Sequence, residues 1–178
     1  DRLVGAITID DIVDVIREEA EEDVKALGGV RASEELADSV AWIARSRFLW
    51  LFINMFTAFA AASVVRLFEG SIEKMVALAV LTPIVCSQGG NAATQTMTVA
   101  VRALATRELT RTNAARVLRR EVLVGLINGI GFGIITGFAA ALWFGRPLLG
   151  VVIGIAMAIN MTAGVLGGML IPLTLTRL

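Results

Sequence analysis

Between Ser87 and Thr98 the chain places Ser87, Gln88, Asn91, Thr94, Gln95 and Thr98, with Gly89 and Gly90 among them, inside a run that is otherwise mostly apolar from Met75 to Val101. Each of these polar side chains offers a neutral oxygen. The chain has no histidine and a single cysteine, Cys86. A metal site must therefore rest on oxygen ligands, which favours hard cations such as magnesium, calcium or manganese over zinc or copper. Neutral oxygens suit a cation that keeps its water shell, and magnesium dehydrates reluctantly. Gly89 and Gly90 would expose backbone carbonyls without a side chain in the way. With Pro83 ahead of them, these residues predict an irregular break in a membrane helix. Such backbone is tolerated at membrane depth only where it is buried in protein or lines a wet cavity, so the break is a candidate solute or ion site. The plain alternative is a proline-kinked helix whose polar groups mend its own hydrogen bonds.

A second set of oxygens is charged. Asp10, Asp11, Asp14, Glu18, Glu19, Glu21, Glu22 and Asp23 crowd one predicted helix. Asp11, Asp14 and Glu18 share a face by helical spacing, and Glu19, Glu22 and Asp23 form a second group. A solvated face is the ordinary reading of a charge run. Like charges three and four apart repel, however, and a cluster this dense calls for a cation or a basic neighbour. Nothing equips the chain as an enzyme: it has no histidine, no acid pair within an apolar span and no phosphate-binding glycine loop with a lysine. Beyond Lys74 the acids are Glu108 and Glu121, both read as lying outside the spans.

The elements that carry these residues follow from composition and periodicity. At 178 residues, 56% hydrophobic, with mean hydropathy +0.76, the chain is too apolar for a soluble domain. Four apolar runs, at about 48–68, 73–103, 121–145 and 148–176, are long enough to cross a bilayer. The fold class is an all-α integral membrane protein, with four transmembrane helices preceded by an acidic amphipathic cytoplasmic helix. Residues 1–47 hold twelve acids and six bases, whereas residues 48–178 hold four acids and ten bases. Arg45 and Arg47 precede the first span, and six arginines face the single Glu108 over residues 102–120. The positive-inside rule then puts the N-terminus, that loop and the C-terminal end in the cytoplasm. No signal peptide is visible.

Ahead of the spans, residues 1–8 read as a short strand. Ile9, Ile12, Val13, Ile16, Ala20, Val24 and Leu27 trace a helix face, capped by Thr8 and stopped by Gly28-Gly29. Ser33 with Glu34 and Glu35 predicts the start of a second helix running past Trp42. In the third span Gly125, Gly129, Gly133 and Gly137 recur every four residues, as do Gly150 with Gly154 and Gly164 with Gly168 in the fourth. That spacing predicts close helix contact, within one subunit in the plain reading or between subunits in the sharper one. Asn54, Asn128 and Asn160 are expected to hydrogen-bond between helices, and Cys86 to pack.

Gly89-Gly90-Asn91-x-x-x-Gln95 after Pro83, then Thr98 and Arg102-Ala103-Leu104-Ala105, closely resembles the second membrane helix of the MgtE family of magnesium channels. The run from Arg2 to Asp11 resembles the end of that family's second CBS domain, and Glu18 to Asp23 with Leu27-Gly28 resembles its connecting, or plug, helix. The resemblance divides the chain into a CBS remnant (1–15), a plug-helix region (16–46) and a transmembrane domain lacking its last helix (47–178). It implies a homodimer with five membrane helices per subunit in the inner (cytoplasmic) membrane and a pore on the dimer axis, lined by the second and fifth helices. Gly90 and Ser87 would offer backbone carbonyls to hydrated Mg2+, with Asn91 beside them in the motif, and Thr94 and Thr98 would line the pore. Asp11, Asp14, Glu19, Glu22 and Asp23 would hold regulatory Mg2+ that closes the channel when cytosolic Mg2+ is high. Membrane lipid and Mg2+ are the expected partners, and nucleic acid is not. The chain is expected to stop short of a fifth helix carrying a pore aspartate. Two other readings stand beside this one: a cation-sensing membrane scaffold that does not conduct, and a secondary carrier coupled to sodium or protons.

Overall fold

The structure is a computed structural model that describes residues 8–35, 37–110 and 112–175; the side chains of Arg17, Glu19, Ala20, Asp23, Val24 and Leu27 fall outside the description. The expected strand over residues 1–8 lies outside the described residues except for Thr8. Six helices follow in order: α1 (Ile9–Leu27), α2 (Val40–Arg66), α3 (Glu69–Lys74), α4 (Val76–Ala105), α5 (Ala114–Phe144) and α6 (Pro147–Leu175). No strand occurs among the described residues, and α2, α4, α5 and α6 are long and apolar enough to span a membrane. The chain divides into two compact units, Asp1–Phe68 and Glu69–Leu178.

In the first unit the expected caps are present. The Thr8 hydroxyl accepts from the Asp11 N–H, and the Asp11 carboxylate accepts from the Thr8 N–H at 2.8 Å, closing a capping box at the start of α1. Gly29, at φ 68°, takes the left-handed turn after α1 and lies so close to the Trp50 indole that a Cβ there would overlap it. The second helix departs from expectation, starting after Ser39 rather than Ser33. The intervening segment has other bonds to make. Lys25 Nζ donates to the carbonyls of Ala32 and Glu34 at 2.8 and 2.9 Å, and the Glu35 N–H donates to Asp38 Oδ2 at 2.9 Å. The buried Glu34 carboxylate accepts from Ser46 Oγ and from the Arg47 guanidinium, so a residue that looked like a helix-start signal serves as an ion-pair partner.

In the second unit α6 lies between α4 and α5 and has contacts with both. It also supplies the two most deeply buried large side chains, Met157 and Met169. The turn from α5 into α6 is tight because Gly145 adopts φ 64° and Pro147 opens α6, where a missing N–H costs nothing. The glycine stripes are resolved as contacts within one chain. A Cβ on Gly133 would lie 2.5 Å from the Gly154 carbonyl oxygen, one on Gly137 would lie 2.5 Å from that of Gly150, and one on Gly129 would touch the Ala158 backbone at 3.0 Å. Leu109, in the loop after α4, is buried with Ala100 and Met169 and ties that loop to the bundle.

Two readings of the spans are corrected. The helix expected to begin near residue 121 begins at Ala114, so Arg116, Arg119, Arg120 and Glu121 are helical, and Glu121 is buried rather than outside the span. The sharper correction concerns α4, which is continuous helix from Val76 to Ala105 with Pro83 and both glycines inside it. There is no irregular break. Replacing Gly133 by leucine is expected to destabilise the second unit by about 1–3 kcal/mol or more through overpacking, whereas Gly131→Ala, with nothing within 4 Å of a new Cβ, should be near neutral. Thermal unfolding in detergent, followed by size exclusion, checks the contrast.

Glu34 gives the first unit a defined pH response. The hydrogen-bonded Arg47 guanidinium holds its carboxyl below the ordinary value of 4.5, against the opposing pull of burial, with help from Ser46 and Lys25. A lowered folded-state pKa stabilises above the unfolded value and is lost as pH falls through the folded one. Amide-exchange protection over residues 29–47 should therefore be level above about pH 5 and fall at lower pH, and Glu34→Gln should abolish that dependence.

Candidate ion pathway

The helix α4 has two faces of opposite character. Gly89, Ala92, Thr96 and Ala100 are buried, and Ala93 is half-buried. This face meets α6 almost backbone to backbone: a Cβ on Gly164 would lie 2.2 Å from the Gly89 carbonyl oxygen, and one on Gly168 would lie 2.3 Å from that of Ala93. Asn160 Nδ2 donates to the Val85 carbonyl at 2.6 Å, one turn before Gly89, and its amide fills the space a side chain on Gly89 would need. Of the three asparagines expected to bridge helices, Asn160 does so, while the side chains of Asn54 and Asn128 are exposed and make no such bond among the described residues.

The opposite face holds the residues singled out in the sequence. Ser87, Gly90, Asn91, Thr94, Gln95 and Thr98 are all exposed, and Ser87, Asn91, Thr94 and Thr98 fall in line at three- and four-residue steps. At Gly90 an added Cβ would meet nothing within 4 Å. The structure thus brings together Ser87, Gly90, Asn91, Thr94 and Thr98 as one polar stripe about three turns long by helical geometry, on a helix otherwise built to cross a membrane.

The two threonine hydroxyl protons of this stripe are turned inward. Thr94 Oγ1 donates to the Gly90 carbonyl at 3.0 Å, and Thr98 Oγ1 donates to the Thr94 carbonyl at 2.9 Å. A hydroxyl has one proton, so with that proton committed it presents lone pairs outward. The exposed surface is consequently rich in acceptors, which suits the outward-pointing hydrogens of a cation's water shell. It is also uncharged. Pro83 lacks an N–H, leaving the Ala79 carbonyl without its usual intrahelical donor and adding another acceptor to the helix.

The acidic helix is a different case. Asp11 is engaged in the capping box with Thr8, whose backbone N–H and hydroxyl hold its carboxyl below the usual value of 3.8. Asp14 and Glu22 are exposed, while the side chains of Glu19 and Asp23 lie outside the description. Among the described residues no group of three acids, histidines or cysteines converges on a point that would hold a metal. Sequence reasoning passed over one residue in the membrane unit, Glu121. It is 8% exposed, pairs with Arg120 Nη2 at 3.1 Å and stands four residues before Gly125, in line with the glycine stripe. That register was the available signal.

A profile of the MgtE family, described as a divalent cation transporter, matches residues 82–178, which include the polar stripe of α4 and all of α5 and α6. The chain is 36% identical over 181 residues to a magnesium transporter MgtE from Thermus thermophilus, covering 99% of this chain and 40% of the relative. It is also 36% identical, over its full length, to one from Enterococcus faecalis, of which it covers 39%. A Bacillus subtilis magnesium transporter MgtE is 30% identical over 177 residues, again with 39% of the relative covered. The chain spans about two fifths of the length of these relatives. With more than half of its residues inside the family profile, the chain belongs to the MgtE family of divalent cation transporters.

Proposed function

We propose that this chain forms part of a magnesium-selective channel or transporter that imports Mg2+, with the exposed stripe of α4 contributing one wall of the ion path. One observation carries the reading: an aligned row of neutral acceptors, from Ser87 to Thr98, stands uncovered within its unit on a membrane-spanning helix. A row of unburied polar groups is unfavourable against hydrocarbon and favourable against water. Magnesium is the cation that best fits, since it keeps most of its hydration and needs hydrogen-bond acceptors more than direct anionic ligands. The relatives' description as magnesium transporters supports the same choice.

On this reading each residue has a distinct task. Gly90 keeps the path open by lacking a side chain, and its carbonyl becomes available when the Thr94 hydroxyl rotates away. Ser87 and Asn91 extend the acceptors towards one end, and Thr94 and Thr98 towards the other. The stripe is one wall only, so a second copy of the chain in a homodimer, or a further helix, supplies the rest. The N-terminus lies on the cytoplasmic side of the inner membrane, where arginines cluster over residues 102–120. Asp11, Asp14, Glu19, Glu22 and Asp23 act as the cytosolic Mg2+ sensor: bound Mg2+ screens their mutual repulsion and favours the closed state, and its loss favours opening.

Full-length protein in liposomes loaded with a magnesium-sensitive dye tests the path and the sensor together. Gly90→Leu should reduce Mg2+ entry at least tenfold, and Thr94→Val should reduce it less. Replacing the five acids by their amides should leave entry intact but abolish its inhibition by Mg2+ on the sensor side. Undiminished entry through the Gly90→Leu protein would remove α4 from the path. Mg2+ binding without entry would favour a non-conducting sensor, and entry that follows an imposed sodium or proton gradient would favour a coupled carrier.

A further inference from the structure

Within the first unit, Arg31, Trp42, Arg45, Ser46, Phe48 and Leu49 enclose a cavity of about 490 Å³ beside the first turns of α2. Its two halves differ in chemistry. Arg31 and Arg45 form a cationic end, and neither guanidinium has a hydrogen bond or ion pair among the described residues. Phe48 and Leu49 give it an apolar side towards the apolar length of α2, and Trp42 lines it one turn before Arg45. The Glu34 carboxylate is already bound by Arg47 and Ser46, and Asp38 accepts from the Glu35 N–H rather than from either arginine.

We propose that this cavity binds an anionic phospholipid, its phosphate held by Arg31 and Arg45 and its acyl chain laid along Phe48 and Leu49. Charge complementarity selects the headgroup. Guanidinium groups match phosphate oxygens in a planar fork, and basic side chains just outside a membrane helix are where anionic headgroups collect. The apolar wall selects a lipid over a free anion, because a small soluble anion would leave Phe48 and Leu49 facing water. Along α2 Arg45 precedes Phe48 and Leu49 by about one turn, so a headgroup held at Arg45 would lead its acyl chain towards the apolar pair. The site is built from residues of the first unit alone and does not depend on the transport reading. Its consequence is structural: it fixes the depth at which α2 enters the bilayer through a lipid rather than a protein contact.

The test uses full-length protein in detergent, titrated with phosphatidylglycerol and, in parallel, with phosphatidylcholine of the same acyl chains, with bound lipid counted by native mass spectrometry. One phosphatidylglycerol per chain should be retained in preference to phosphatidylcholine. Arg31→Gln and Arg45→Gln should each weaken it about fivefold, and the double variant about 25-fold. Neither arginine has a partner among the described residues, so helicity should be unchanged, and Arg146→Gln, in the α5–α6 turn, should bind as the unaltered protein does. Equal retention of the two lipids, or unaltered phosphatidylglycerol binding by the double variant, would overturn the proposal. Displacement of the lipid by inorganic phosphate alone would reassign the site to a soluble anion. Cross-linking of two copies through Arg45→Cys, in a Cys86→Ala background, would show a protein surface in its place.

Discussion

The nearness of α6 to both of its neighbours is the constraint on which the membrane unit depends. Glycine or alanine stands wherever the backbones meet: Gly133 with Gly154, Gly137 with Gly150, Gly129 with Ala158, Gly164 with Gly89 and Gly168 with Ala93. Between membrane helices there is little hydrophobic driving force, because lipid tails are as apolar as leucine. Attraction must come from dispersion at short range and from occasional polar contacts. Small residues bring the backbones near enough for the first, and Asn160 on the Val85 carbonyl provides the second. Because Gly89 is used to seat α4 on α6, the other side of that helical turn is fixed in direction, and Gly90 and Asn91 are left facing away. The orientation of the polar stripe is thus decided by packing on the opposite face.

The continuity of α4 follows from the same solvent. Gly-Gly and Pro in sequence suggest a break because, in water, a helical glycine is disfavoured by roughly 1 kcal/mol and a proline by about 3 kcal/mol. In hydrocarbon the alternative is worse. Each backbone N–H or C=O released from a helix without a partner costs several kcal/mol, so unwinding even one turn exceeds the cost of keeping two glycines helical. The polar side chains bond within the helix for the same reason, as Thr82 on the Leu78 carbonyl, Thr94 on that of Gly90 and Thr98 on that of Thr94 show.

Much of the architecture could be read from the sequence because apolar length and glycine spacing are local signals. The four membrane helices, the Thr8 cap, the Gly28-Gly29 stop and the glycine register all have local physical causes. What escaped depends on partners distant in sequence. Glu34 looked like a first-turn acid because the pattern around Ser33 carries no mark of Arg47, thirteen residues on. Glu121 looked like a flanking charge because hydropathy ends a span at the first charged residue, whereas the helix continues through it and buries it beside Arg120. For the candidate site, the residue types and their common face were legible. The inward commitment of the hydroxyl protons was not, since it depends on helical geometry that the sequence did not suggest.

That commitment bears on how a neutral stripe would handle a divalent ion. A carboxylate facing the path would bind Mg2+ tightly and release it slowly, and conduction requires an ion to leave as readily as it enters. The stripe from Ser87 to Thr98 carries no charge. Its exposed threonine oxygens act only as acceptors while their protons stay on the Gly90 and Thr94 carbonyls. Such a surface would hold the ion's water rather than the ion, through many weak bonds exchanged one at a time as a hydrated cation moved. Rotation of Thr94 would release the Gly90 carbonyl and lose an outward hydroxyl acceptor, exchanging one oxygen for another at the turn where Gly90 leaves room. The number of acceptors would stay constant while their position shifted along the helix. On the proposed reading a neutral row would pass a hydrated ion along, and any discrimination by charge would have to come from residues facing it across the path.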